Sequence, residues 1–161
     1  MNEKTKIVEI GGQRYQIRRF APNVGSYILM QMIGAGLKGQ NFSEAPPAGS
    51  ASAPSSSAAE PNGEDTVRAI VFAAFLRGLE YDMHNFVQNK CLAICALMKE
   101  HEGTELPVPL TNGSEWVPEI RDDMQLVMKL EVEAMVFNFS DFFAEGGLNA
   151  LAGKRPLLLK E

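Results

Sequence analysis

The stretch from Met124 to Glu145, MQLVMKLEVEAMVFNFSDFFAE, constrains the fold more than any other part of the chain. It carries too much apolar surface for one side of one helix. At about 100° per residue, Met124, Met128 and Met135 share one stripe. Leu126, Leu130 and Phe137 share another, with Ile120, Val127 and Ala134 between them. A surface helix needs an apolar face of only about 100°. The surplus calls for a second packing partner, from this chain or another, and methionine suits a partner of variable shape. Periodicity alone leaves open a helix enclosed by its own domain or one with an exposed binding face. Glu131 stands out on the apolar arc, where a charge must be paired or meet a partner.

A length of 161 residues suits one domain, 1–161, able to bury a single core. Its 45% hydrophobic and 22% charged residues are ordinary for a soluble globular chain. The run Cys91 to Met98 is far shorter than the roughly 20 residues of a membrane span. MNEKTKIVEI lacks the apolar centre of a signal peptide, so the expected compartment is the cytosol. Cys91 and Cys95 are there expected as reduced thiols.

Charge is unevenly placed: residues 1–20 carry a net +3 and residues 100–145 a net −9, against −5 for the whole chain. The acidic half repels phosphate backbones, which argues against nucleic acid as a partner. It either attracts a basic protein or is a solvated face that keeps the chain soluble.

Along the chain, KIVEI and RYQIRR flank Gly11-Gly12 and read as a β-hairpin. Pro22 and Asn23 open a buried helix ending near Leu37. Residues 39–64 form a low-complexity insertion, expected to be flexible, because Ala45 to Ala59 contains only Ala, Pro, Gly and Ser. Glu64 and Asp65 start a helix with Val67, Ile70, Val71, Ala74 and Phe75 on one side. Asp82 caps another, MHNFVQNKCLAICALMKE. VPLTNGSEWV has the form of a short second hairpin around Asn112-Gly113. The long helix runs from Pro118 or Glu119 to about Asn138, and Ser140 caps a final turn, DFFAE. Residues 152–161 form a flexible tail. The fold class is mainly α within α+β: a small helical bundle with an N-terminal hairpin.

The best catalytic constellation is Glu80, His84, Cys91 and Cys95, whose steps of four, seven and four lie on one helical face. A break at Leu79 to Asp82 removes Glu80, and His84 lies two turns, about 10 Å, from Cys91. Two cysteines four apart match no usual zinc pattern, and in CLAICALM they pack as small hydrophobes. Phosphate loops, nucleophile elbows and HExxH are absent from the sequence, and no cofactor is implied. Acids at Glu119, Asp122 and Asp123 are explained by the helix dipole. The residues favour a binding protein, with a small cytosolic thiol- or metal-dependent enzyme using Cys91, Cys95 and His84 as the alternative.

Three segments, GGQRYQIRRFAPNVGSYIL, FVQNKCLAIC and GSEWVPEIRDDMQLVMKLEVEAMVFNFSDFF, resemble the tail assembly chaperones of long-tailed bacteriophages. The family is similar in its N-terminal hairpin and helix, an Asn-x-Cys-Leu-like helix, a Gly/Trp turn, and a long helix closed as in Asn138-Phe139-Ser140-Asp141-Phe142-Phe143. The resemblance implies a non-catalytic protein in the host cytoplasm, absent from the mature virion. It implies that the chain holds the helical tape measure protein soluble and helps tail tube subunits assemble, the tube protein being recruited by a frameshift-extended form. Self-association is a further expectation. Met124, Met128, Glu131 and Met135, with the Phe142-Phe143 turn, are the expected partner-binding residues.

Overall fold

The computed structural model describes residues 3–37, 63–76, 79–113 and 115–144. The chain starts with β1 (Thr5–Ile10) and β2 (Gln13–Arg18), followed by α1 (Pro22–Leu37), α2 (Gly63–Leu76) and α3 (Tyr81–Ala93). β3 (Cys95–His101) and β4 (Thr104–Pro109) come next, then the short pair β5 (Thr111–Asn112) and β6 (Glu115–Trp116). α4 (Pro118–Arg121) and α5 (Met124–Ala144) complete the described part. The expected insertion lies outside the described residues up to residue 62, as does the expected tail, and Gly63 and Glu64 already belong to α2.

The mixed α+β class holds, with more sheet than the sequence reading supplied. A four-stranded antiparallel sheet has the order β1-β2-β3-β4. Ile10 pairs with Gln13 across Gly11-Gly12, both at positive φ, as a two-residue hairpin turn requires. The expected helix through CLAICALMKE stops instead at Ala93. There Arg18 Nη2 donates to the Ala93 carbonyl, and residues from Cys95 onward become β3. Cys95 and Leu97 pair with Ile17 and Tyr15 on one side, while β4 completes the ladder on the other. Two flanking strands satisfy the backbone of this segment as fully as a helix would, and they place its apolar residues in the core. β3 and β4 turn through Glu102 and Gly103, both at positive φ. The expected hairpin at Asn112-Gly113 is present as β5 and β6.

The long helix also differs at both ends from the expected span. Asp122 and Asp123 break it: the α5 helix begins at Met124, with the Leu126 N–H donating to Asp123 Oδ1 at 3.0 Å. The acids explained as first-turn charges therefore include the cap itself. At the other end Ser140 starts no new turn, because α5 continues through it to Ala144. Asn138 is held inside the helix by its side chain. Its Nδ2 donates to the Ala134 carbonyl at 2.8 Å, and its Oδ1 accepts the Phe20 N–H at 2.8 Å.

That contact joins the two ends of the chain. Arg19 lies 4.0 Å over the Phe137 ring, donates to the Phe137 carbonyl and pairs with Asp141 at 3.3 Å. Phe20 stacks on Phe139 with centroids 5.9 Å apart. Lys6 pairs with Glu133, and Arg14 with Glu105. Much of the positive N-terminal charge is thus neutralised by acids from later in the same chain, and little of it is left to recruit a partner.

Candidate functional site

The environment of α5 changes along its length. α2 runs antiparallel to it: Gly63 approaches Ser140 and Ala144 backbone to backbone, and Arg68 reaches Glu133 at 2.7 Å. With Phe20, just ahead of α1, stacked on Phe139 and strands β1 and β2 alongside, the C-terminal half is enclosed almost all round. Ala134, Met135, Val136, Phe137 and Phe139 are all buried. The N-terminal half buries one side only, that of Val127, Leu130 and Glu131, and Met124 and Met128 are exposed at 73% and 41%.

The expected site residues therefore divide. Met124 and Met128 lie at the surface, on the same side of the helix. Met135 and Glu131 are fully buried and cannot touch a partner in this conformation. Phe142 and Phe143 are half-buried, pack edge to face at 5.1 Å and flank the core. Sequence periodicity placed Met135 beside Met128 correctly in angle, but it carries no information on which turn a neighbouring helix covers.

Two hollows border the exposed half of α5. A shallow one of about 210 Å³ is lined by Arg68, Met128, Lys129, Val132 and Glu133. Phe72, one turn beyond Arg68 on α2, is 65% exposed and continues the apolar surface there. The sequence reading did not single out Phe72, since IVFAAF is apolar all round and shows no favoured face. The larger hollow, about 800 Å³, lies between α5 and the sheet. Its floor includes Ile10, Tyr15, Leu97 and Leu126. Its walls carry the ion pair of Lys99 and Glu119, 2.7 Å apart, which holds the Glu119 carboxyl below the usual range. Burial, helped by the Asp123 and Glu119 carboxylates, keeps the Tyr15 phenol above its ordinary value and neutral.

The thiol constellation does not assemble as a reactive centre. Cys95 is on β3 and donates its S–H to the Cys91 carbonyl at 3.2 Å. Burial pushes the Cys95 thiol up to about 12, and burial with the nearby Glu131 carboxylate pushes Cys91 well above its ordinary range. Both hold their protons at neutral pH, so neither is poised as a nucleophile or a metal ligand. Among the described residues no group of three His, Cys, Asp or Glu side chains is placed to hold a metal ion. Neither cysteine should react with a disulfide-exchange reagent at pH 8 in the native protein, and both should react in urea. Rapid labelling of the native chain, read by mass spectrometry, would overturn the packing account.

Among the described residues Glu131 is the one charged group buried in the core. Its Oε2 accepts a long bond from Gln88 Nε2, 3.5 Å away, with His84 Nε2 at 3.9 Å. Its Oε1 has no partner. Burial, only weakly opposed by Gln88, raises its carboxyl to about 7.

These features define a small α+β protein whose largest irregularities are surfaces on one helix. Among the described residues no helix is long and apolar enough to cross a membrane. The model of the family described as phage tail assembly chaperone protein, TAC, matches residues 11–150, and the chain belongs to that family. No curated protein and no solved structure matches it.

Proposed function

We propose that the chain is a non-catalytic chaperone that binds the tape measure protein in the infected host cell and keeps it soluble while tail tube subunits assemble around it. The observation that carries this reading is the apolar surface of Met124, Met128 and Phe72 beside the enclosed half of α5. An amphipathic client helix laid there exchanges water for methionine and aromatic contacts, the usual source of affinity in helix-in-groove recognition. Methionine adapts to the changing side chains of a long client. Tube protein recruitment through a frameshift-extended form, action in the host cytoplasm, absence from the mature virion and self-association belong to the same reading. The protonated, buried thiols weigh against the alternative of an enzyme built on Cys91, Cys95 and His84.

The test is co-expression with the tape measure protein of the same phage. The wild-type chain should keep that protein soluble and co-purify with it. The pair Met124→Asp and Met128→Asp should lower capture at least about tenfold, the scale of losing two buried interface side chains. Both residues are exposed, so the melting temperature should move by only a few degrees. Unchanged capture by the folded variant would remove this surface from the proposal.

A further inference from the structure

The two edges of the four-stranded sheet differ in what they offer a further strand. Across a two-residue turn the closing pair exchanges both backbone bonds, and bonded pairs then recur at every second residue. In the β3–β4 hairpin, closed by His101 and Thr104, this turns the backbone of Glu105, Pro107 and Pro109 outward. Proline has no N–H, so the β4 edge is shut to regular pairing. In the β1–β2 hairpin, closed by Ile10 and Gln13, the outward residues are Thr5, Ile7 and Glu9. The same alternation appears on the far side of β2, where the Arg18 N–H bonds the Ile94 carbonyl, towards β3.

Every outward residue of β1 keeps both its N–H and its C=O. Thr5, Ile7 and Glu9 are exposed, and among the described residues β1 pairs with β2 alone. The strand has an unbroken register and no proline or bulge. Lys6, whose inward charge could guard such an edge, is paired with Glu133 at 3.7 Å. Its start is fixed as well, because the Glu3 carbonyl accepts a bond from Arg19 Nε at 3.2 Å. An open row of donors and acceptors is matched by another strand and not by a helix, whose backbone is already bonded.

We infer that β1 pairs antiparallel with β1 of a second copy, about a two-fold axis at Ile7. Backbone geometry alone narrows the registers, since outward residues must oppose outward residues. With Ile7 opposite Ile7, Thr5 opposes Glu9 in both directions, and all the outward groups of both strands are bonded. The two exposed Ile7 side chains then cover each other, and no like charges face across the seam. Sliding by two residues one way sets Glu9 against Glu3. Sliding the other way sets Ile7 against Glu9 and Thr5 against Gly11 in the turn. The strand is thus complementary to itself in one register, as an isologous contact requires. Two four-stranded sheets become one of eight strands, with α5 of both copies on the same side. Self-association belongs to the proposed function, and this assignment rests on that reading only in giving it a surface.

The test is sedimentation of the full chain with disulfide trapping under mild oxidation, the buried Cys91 and Cys95 serving as an unreactive background. A dimer is expected to form with rising concentration. Opposed Cα atoms in a bonded pair lie about 5.5 Å apart, within disulfide reach. Ile7→Cys should therefore link to itself, whereas Thr5→Cys and Glu9→Cys should link to each other on mixing and not alone. Ile7→Pro removes an outward donor and leaves the β1–β2 bonds in place, so it should weaken the dimer at least about tenfold, the loss being repeated by the two-fold axis. Ile7→Lys sets like charges face to face and should do the same should the proline variant unfold. A wild-type chain that stays monomeric up to about 1 mM overturns the inference, as does a dimer untouched by these changes in folded variants. Trapping in another register overturns it too. So does slow amide exchange at Thr5, Ile7 and Glu9 in the monomer, which would mean that another segment of the same chain occupies the edge. Capture of the tape measure protein is read separately: a monomeric chain that captures it loses this interface and keeps the chaperone reading, and a dimer that captures none does the reverse.

Discussion

Glu131→Gln is expected to stabilise the protein at pH 8 by roughly 3 kcal/mol, and to do almost nothing at pH 4. The folded carboxyl titrates at about 7, above the unfolded value, because burial disfavours its charged form and Gln88 offers only a weak bond. A raised value means that the folded state binds the proton more tightly than the unfolded chain. The contribution of Glu131 is therefore fully present below about 4.3, declines as pH rises through 7, and is level above that. The groups facing it are His84, Gln88 and Cys91, all from α3. Cys91 holds its proton, so the burial cost falls on Glu131 itself. An amide keeps the shape and removes the charge. Urea unfolding at several pH values should show a falling wild-type profile between pH 4.5 and 7.5 and a flatter one for the variant, converging at the acid end. If the variant is less stable at pH 8, Glu131 is compensated in a way the distances do not express.

Sequence chemistry reached the elements whose local rules have few competing solutions. Gly11, Gly12 and Gly113 supply positive φ between apolar runs, and both hairpins are present. Pro22 and the acids Glu64 and Asp65 mark real helix starts. CLAICALM failed because a short apolar run suits a buried helix and a buried strand equally, and the outcome depends on whether flanking strands are available. β4 was hidden by Pro107 and Pro109, which are tolerated because the strand lies at the sheet edge. Missing both strands concealed the larger hollow, since Leu97 joins its floor only as part of a paired β3. Asn138 looked like a helix end because asparagine favours caps, yet its amide bonds backbone groups from two parts of the chain. At Glu131 the residue type on the apolar arc signalled a strained position, but not whether its partner was internal.

Met135→Ala and Leu130→Ala should each cost about 2 to 5 kcal/mol, whereas Met124→Ala should cost well under 1 kcal/mol. Met135 and Leu130 are fully buried, on opposite sides of α5, so deleting either leaves a cavity beside packed neighbours. Met124 belongs to the same sequence stripe as Met135 but lies in the exposed first turn of α5. The boundary between enclosed and exposed residues therefore crosses the helix instead of running along it, and on the proposed function stability and capture should separate accordingly. Alanine at Met135 or Leu130 should lower the unfolding midpoint while preserving capture in the folded fraction. Polar residues at Met124 and Met128 should do the reverse. Equal destabilisation from Met124 and Met135 would mean that something encloses the first turns of α5 in the free protein. The client surface would then have to lie elsewhere, with the sheet side of the helix the next place to test.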